Sequence, residues 1–321
     1  MYDVVTVGHI LLDLRFCVER FAAPDRESPI TSQSHSVGGS AANVAIGVRR
    51  LGGLSKVIGK VGFDDFGKSA LEDLAREGVD ISNVRIDALG GRTGFTVVII
   101  DSQGQIAMYG FKGAAEELLP DEVAPQAVSN ARFMHIASLR LDTSVHAARL
   151  AKEKGITVTW DPGRVQAQLG LEKLKPIVSL SDIVFPNEHE ARAITGEEDI
   201  DRAVDTLLSA GPKIVVVKRG ARGVYVATQE QRFEVPAYLP GRVVDTTGAG
   251  DALVAGMIVG LKKYGLRDAA RFATIVAGMK VTRLGSHEIP RLEEVEAEML
   301  RIGWRPGVPP IEERWPGLGV D

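Results

Sequence analysis

VVDTTGAGDALVAGMIVGLKKYG, residues Val243–Gly265, is the stretch on which the fold turns. The run RVVD reads as a short strand ending at Asp245. Gly248, Ala249 and Gly250 follow, and a helical pattern runs from Asp251 to Tyr264. Small residues at a strand-to-helix turn let the backbone approach a ligand closely. The unpaired N–H groups of a helix start, and the helix dipole behind them, favour an anion there. An acidic residue beside an anion site defeats itself unless it has a task. If a phosphoryl group is transferred, Asp251 has one: it takes the proton of the attacking hydroxyl while the neighbouring amides steady the migrating group. The plainer alternative is Asp251 as a helix cap. A dinucleotide fingerprint is excluded, because Leu253 stands where the third glycine of G-x-G-x-x-G belongs.

A second candidate lies upstream. GFDDFGKS, residues Gly62–Ser69, matches G-x-x-x-x-G-K-[ST], the phosphate-binding P-loop. A P-loop works by aiming backbone N–H groups and a lysine at phosphate. Here Asp64 and Asp65 would sit inside the cradle, and like charges a few ångströms apart cost about 1 kcal/mol even in bulk water. The reading favoured is a strand-to-helix turn with Asp64 or Asp65 near the helix start. The rival is a P-loop NTPase using Lys68 and Ser69, with Asp161 closing a Walker B-like strand.

Outward from these turns the chain alternates strand and helix. DVVTVG reads as a buried strand, GGSAANVAIGVRRLGG as a helix capped by Ser40 and ended by Gly52, LSKVIGKVG as a strand, and Lys68 to Glu77 as a helix stopped by Gly78. From Arg132 onward the strands RFMHIA, ITVTWD, DIVFP and KIVVVK are interleaved with helices at Thr143–Lys154, Glu188–Thr195 and Ile200–Ala210. Such alternation predicts an α/β fold with a mostly parallel sheet covered on both faces. The hairpin GVYVATQEQRFEV interrupts it. Two β-rich segments, about residues 11–38 and 90–113, stand apart; the second holds a hairpin turning at Asp101–Gly104. They are expected to form a small separate sheet. The tail from Gly303 to Asp321, with Trp304 and Trp315, is expected to pack irregularly on the surface or on a partner subunit.

Composition adds exclusions. Of 321 residues, 45% are hydrophobic and 25% charged, ample for a globular core. Net charge is -4 with no basic block, so nucleic acid is not the expected partner. No apolar run reaches the roughly eighteen residues of a membrane span, and a cytoplasmic protein is expected. The single cysteine, Cys17, is read as a small packed residue.

The motifs together resemble one family, the ribokinase-like (PfkB) carbohydrate kinases. DTTGAGD resembles its C-terminal signature, GGSAANVAIGVRRLGG its N-terminal one, and PNEHEA its N-x-x-E element. VKRGARGVYV resembles its strand-turn-strand near the nucleotide, VGHILLD its opening strand, and GKVGFDDFG a recurrent scaffold segment. The resemblance covers nearly the whole chain in order. It implies a three-layer α/β/α sandwich made of residues 1–10, 39–89 and 114–321, with 11–38 and 90–113 as a β lid and possible homodimer interface. It implies a kinase moving the terminal phosphate of ATP to a hydroxyl of a sugar or nucleoside of ribosyl type. Asp251 would be the general base, with Gly248, Ala249 and Gly250 as anion hole. Asp13, Gly39 and Asn43 would contact substrate hydroxyls. Asn187 and Glu190 would organise Mg2+ through water, and Lys218, Gly220 and Gly223 would border the nucleotide. Asp245 and Thr247, with backbone from Lys280–Ile289, stand where many members bind a monovalent cation such as K+; Lys280 itself stands where small residues are common.

The acceptor is the open point. Arg92, Lys112, Arg140 and Arg164 fall near the expected pocket, and Arg164 is taken as a substrate contact, because guanidinium binds phosphate bidentately. A sugar-phosphate kinase, ADP-dependent in one variant, is therefore the runner-up, and solvated surface charges are the plainer reading of each residue. His9 either lines the pocket or packs. A non-catalytic sugar- or nucleotide-binding protein on the same fold is a third alternative.

Overall fold

The computed structural model describes residues 1–307. The chain runs β1 (Tyr2–Gly8), β2 (Leu11–Val18), β3 (Ile30–Gly38), α1 (Ser40–Arg50), β4 (Ser55–Ile58), β5 (Lys60–Gly62), α2 (Asp65–Arg76), β6 (Arg85–Asp87), β7 (Thr93–Ile100) and β8 (Ile106–Gly113). It continues through β9 (Ala131–Ala137), α3 (Leu141–Glu153), β10 (Thr157–Asp161), α4 (Gly163–Ala167), α5 (Gly170–Val178), β11 (Ile183–Val184), α6 (Glu188–Thr195) and α7 (Ile200–Ser209). The last part is β12 (Ile214–Lys218), β13 (Val224–Ala227), β14 (Arg232–Val235), α8 (Ala249–Lys263), α9 (Leu266–Lys280) and α10 (Leu292–Arg301).

Eight strands form the central sheet in the order β14-β13-β12-β11-β10-β9-β1-β4. All neighbours are parallel except β12–β13 and β13–β14, the hairpin expected from sequence. The sheet is buried on both faces because its strands are apolar at successive positions, not alternate ones. Val5, Val7, Val215 and Val217 point to the layer of α3, α5, α6 and α7. Val4 and Val216 point to the opposite layer of α1, α8, α9 and α10. The result is the expected α/β/α sandwich. Gly8 pairs with Ala137 and Ala137 with Asp161, so the carboxyl ends of β1, β9 and β10 are level. Ligands of open α/β sheets bind at that end.

The two β-rich segments meet in a second sheet, β3-β2-β7-β8, with a parallel β2–β7 pair between two antiparallel ones. Leu12 and Val37 seat it on α1 and α2.

Several local expectations need correction. RVVD is not a strand: Val243 and Val244 are exposed, and the N–H groups of Val244 and Asp245 both converge on the Val281 carbonyl. The β-branched run imitates a strand, but its hydrogen bonds go to the end of α9. LSKVIGKVG divides at Gly59 between two sheets. Ser40 is the first residue of α1, not its cap; Gly39 holds that place with φ 93°, a conformation that favours glycine. The helix expected at Lys68 starts at Asp65. Trp304 is buried and packs edge-on against Tyr264, while Trp315 lies outside the described residues.

Candidate active site

The turn before α8 follows an irregular segment, not a strand, and α8 begins at Ala249, two residues before Asp251. Gly248 has φ 78°, and a Cβ there would collide with the Ser286 carbonyl. The Ala249 N–H closes the turn on Thr246 O at 3.1 Å. Among the described residues, the N–H groups of Gly250 and Asp251 meet no backbone carbonyl. They remain free for an anion. Asp251 follows on the first turn of α8, half-buried. Burial pushes its carboxyl up to about 6; an Asn43 hydrogen bond and the Lys218 charge oppose the shift, and Asp161 adds to it. A carboxylate so tuned is ionised at neutral pH yet basic enough to receive a proton.

On one side of Asp251 stands a group of buried polar side chains. Asn43, buried on α1, donates from Nδ2 to Asp251 Oδ2 at 2.8 Å. Its Oδ1 is buried without a hydrogen-bond partner, an acceptor left for a ligand hydroxyl. Gly39 precedes it at the mouth of α1. Asp13, on β2, is buried and accepts from Ser286 Oγ at 2.7 Å and from Arg15 Nη2 at 3.1 Å. Arg15, two residues along the same strand face, is itself buried and also donates to Ser36 Oγ at 2.8 Å. His9 is buried with Nε2 2.9 Å from Glu116 Oε2. The hydrogen bond to His9 outweighs burial and holds Glu116 below the usual carboxylate range, with the Lys112 and Arg140 charges adding to it. Arg140 is committed to Asp142 through two hydrogen bonds of 2.7 Å. Arg92 and Lys112 are exposed.

On the other side lies a cavity of about 400 Å³. Gly250, Lys218, Gly220 and Gly223 border it, and Val224, Tyr238, Leu253 and Val281 give it apolar walls suited to a flat base. Lys218 ends β12 and pairs with Asp161, which ends β10. The Lys218 ammonium lies 3.6 Å from where a Gly250 Cβ would be, so it faces the turn. Burial would lower its pKa, but Asp161, Glu190 and Asp251 outweigh burial and raise it.

Asn187 and Glu190 form a capping box on α6: Asn187 Oδ1 accepts the Glu190 N–H at 2.9 Å, and Glu190 Oε2 the Asn187 N–H at 2.8 Å. The spacing N-x-x-E is thus first a helix start. Glu190 is buried, and burial, with Asp161 nearby, raises its pKa against the pull of Lys218. Three carboxylates, Asp161, Glu190 and Asp251, therefore crowd one ammonium. No three His, Cys, Asp or Glu side chains among the described residues are placed to hold a metal by themselves. Mg2+, which keeps several waters and binds through phosphates, fits such a site. Arg164, taken from sequence as a substrate contact, is exposed on α4, and its charge slightly opposes the rise in the Glu190 pKa.

K+ does not fit. Lys280 is fully buried, and its Nζ donates to Asp245 O at 2.8 Å and lies 3.9 Å from Asp245 Oδ2. The Asp245 carboxylate is otherwise bound by the N–H groups of Thr247 and Gly285, each at 2.9 Å. A second cation about 4 Å from the ammonium would meet a repulsion of about 4 kcal/mol at an effective dielectric of 20.

The P-loop look-alike borders a hollow of about 500 Å³, but its helix start is already occupied. Asp64 Oδ1 accepts from Gly67 N at 2.8 Å and Thr93 Oγ1 at 2.6 Å, and Oδ2 from Thr93 N at 2.9 Å. Lys68 is 74% exposed and lies 4.0 Å from Glu72. A carboxylate holds the place a phosphate would need.

The geometry and the family comparison agree. Residues 1–292 match the model of the pfkB family carbohydrate kinases. The chain belongs to that family. It is 34% identical over 304 residues to an ATP-dependent ribose-1-phosphate kinase of Halopiger xanaduensis, covering 92% of this chain and 98% of that one. Among solved structures it resembles the nucleoside kinase of Methanocaldococcus jannaschii, with TM-score 0.81, 28% identity and coverage of 93% and 98%. It also resembles Arabidopsis thaliana ribokinase complexed with ribose and ATP, with TM-score 0.81, 26% identity and coverage of 92% and 98%. This pfkB-family chain is a sugar or nucleoside kinase, a phosphotransferase with an alcohol acceptor. No helix among its described residues is long and apolar enough to cross a membrane.

Reading the sequence missed Arg15, Ser286 and the Lys218–Asp161 pair. Arg15 carried a usable signal: it stands two residues after Asp13, hence on the same face of a strand.

Proposed function

We propose that this chain transfers the γ-phosphate of ATP to a hydroxyl of a ribosyl-type sugar or nucleoside. One observation carries the reading: Asp251 stands between a polar cluster and an apolar cavity, bonded to Asn43 on one side and following Gly250, which borders the cavity, on the other. The acceptor lies against Asp13, Gly39 and Asn43, with one hydroxyl aimed at Asp251 Oδ. Asp251 removes its proton as the oxygen attacks the γ-phosphorus, the bond from that phosphorus to the β,γ-bridging oxygen breaks, and ADP leaves with the bridging oxygen. The N–H groups of Gly250 and Asp251, at the turn formed by Gly248, Ala249 and Gly250, bind the equatorial oxygens, and Lys218 adds charge. Asn187 and Glu190 would organise Mg2+ through water, and the bound ion would neutralise charge on the triphosphate. Gly220 and Gly223 would border the nucleotide, and Arg164 would contact the acceptor.

The sheet of residues 11–38 and 90–113 serves as a lid, because excluding water favours the bound alcohol over hydrolysis. Its edge strand β8 exposes Ile106, Met108, Tyr109 and Phe111, which supports a homodimer contact there. A second reading, a sugar-phosphate acceptor, is favoured by the buried guanidinium of Arg15 beside Asp13.

The test is a nucleotide-consumption screen crossing ATP and ADP with ribose, ribose 1-phosphate, nucleosides and fructose 6-phosphate. Turnover of ATP with a ribosyl acceptor, lost in Asp251→Asn, is the expected result. Absence of transfer to every acceptor would mean a binding protein instead.

A further inference from the structure

The turn that leads into α8 stands on a buried positive charge. Lys280 is the last residue of α9 and is 0% exposed. Its ammonium donates to the Asp245 carbonyl at 2.8 Å, three residues before Gly248. Asp245 in turn receives the N–H groups of Thr247 and Gly285, one from the turn and one from the segment after α9. Val244 and Asp245 donate to Val281 O, and Gly248 packs on the Ser286 carbonyl. Residues 245–248 and 280–286 are therefore one unit with the ammonium inside it.

The charge is accounted for on every side. Burial lowers the Lys280 pKa to about 8, while Asp245, Asp251 and Glu288 hold the proton on and Arg15 opposes them. Asp245 stays below the usual carboxylate range: burial would raise it, but the Gly285 and Thr247 N–H groups outweigh burial, with Lys280 adding to them. At neutral pH the pair is an ammonium facing a carboxylate. A lysine is an expensive residue to bury unless its charge is used. Here it is held against Asp245, at the start of the turn that leads to the amides that would receive the phosphoryl group.

We propose that Lys280 is the resident cation of the anion-hole turn, and that this enzyme therefore works without K+. The ammonium orders the Asp245–Gly248 turn and adds positive potential behind the Gly250 and Asp251 amides. Lys280 touches no reacting atom in this arrangement; it acts through Asp245 as a positioning residue. The inference rests on the kinase reading, and its test separates the two. Failure of that reading gives no turnover in any salt, whereas failure of this inference gives turnover that K+ accelerates.

The experiment compares the full chain in KCl and in tetramethylammonium chloride at matched ionic strength, with Mg2+, ATP and an accepted acceptor. The expected kcat differs by less than about twofold between salts, and the thermal midpoint is the same in both, since nothing binds. Lys280→Ala is expected to lower kcat by about 10- to 100-fold in tetramethylammonium, with the acceptor KM changed far less. In KCl that variant should regain part of its kcat and unfold at a higher temperature, because K+ can then enter the vacated site. Activation of the unaltered chain by K+ of more than about fivefold would overturn the proposal. So would a folded Lys280→Ala protein with undiminished kcat in the K+-free salt. If the variant does not fold, the two-salt comparison on the unaltered chain decides alone.

Discussion

Asn43 and Asp251, 208 residues apart in sequence, are joined by a 2.8 Å hydrogen bond from the amide Nδ2 to the carboxylate Oδ2. The bond favours the ionised carboxylate and so opposes the burial that lifts Asp251 to about 6. A general base works only when ionised, so kcat/KM should fall as pH drops through about 6. Removing the donor removes the opposition. In Asn43→Ala the acid limb of the kcat/KM profile should move to higher pH. A pH–rate profile checks this, and an unmoved limb would show that the bond does not tune the base. Asp251→Asn should cost about 10²- to 10⁴-fold in kcat.

The same raised pKa carries a stability cost. Asp251 is less acidic in the folded chain than in the unfolded one, where 3.8 applies. The fold therefore binds the proton better, and stability falls as pH rises from 3.8 through about 6; above that the full penalty is present. Asp251→Asn keeps the shape and removes the charge. It should unfold at a higher temperature than the unaltered chain at pH 7 while losing activity, and the gap should narrow on acidification toward pH 4. Thermal unfolding across pH reads this out. An Asp251→Asn protein less stable than the unaltered chain at neutral pH would contradict the assigned shift.

Lys218 and Lys68 separate the two phosphate loops. Lys218 is paired with Asp161 and faces Gly250, whereas Lys68 is in solvent. Lys218→Met should lower kcat and raise the ATP KM, together about 10- to 100-fold in kcat/KM. Lys68→Ala and Ser69→Ala should stay within about twofold, because Lys68 is exposed, Ser69 is half-buried and Asp64 already occupies that helix start. Because Lys218→Met leaves Asp161 without its partner, thermal unfolding of the variant is measured alongside. The reverse pattern of losses would restore the P-loop.

The β8 edge predicts an assembly. Met108 and Tyr109 are exposed on an edge strand, with Ile106 and Phe111 beside them. Long apolar edges are ordinarily covered. The chain should sediment as a dimer, and Tyr109→Lys with Met108→Lys should shift it toward monomer without unfolding it. A monomer at assay concentration would remove this contact from consideration.

What was legible in the sequence was local. Gly248, Ala249, Gly250 and Asp251 announce themselves through small residues before an acidic helix start, and Asn187 and Glu190 through capping-box spacing. The alternation of strand and helix pointed to the sandwich. Illegible was whatever depends on segments far apart in the chain. Asp161 and Lys218 end two different strands, and only the sheet order makes them neighbours. Ser286 reaches Asp13 across 273 residues. RVVD misled because β-branched residues signal a strand whether or not another strand waits beside them. Lys280 stood out as an oddity of the K+ site, but its burial against Asp245 is a fact of packing.

Arg15 is the residue most able to decide the acceptor. Its guanidinium is buried, shares Asp13 with Ser286, and stands on the polar side of Asp251. Toward a free sugar or nucleoside it would only hold Asp13, and Arg15→Lys should then keep most of the activity. Toward a sugar phosphate it would bind phosphate oxygens in a planar fork that lysine cannot reproduce. Hydrogen bonds to charged groups are worth about 1.5–3 kcal/mol, or about 10- to 100-fold in affinity. If the acceptor is phosphorylated, Arg15→Lys should raise its KM by that factor while leaving the ATP KM unchanged. Measuring both KM values for ribose 1-phosphate and for a nucleoside in the two proteins reads the difference. Equal small effects on both acceptors would assign Arg15 to holding Asp13 and would favour the unphosphorylated ribosyl substrate.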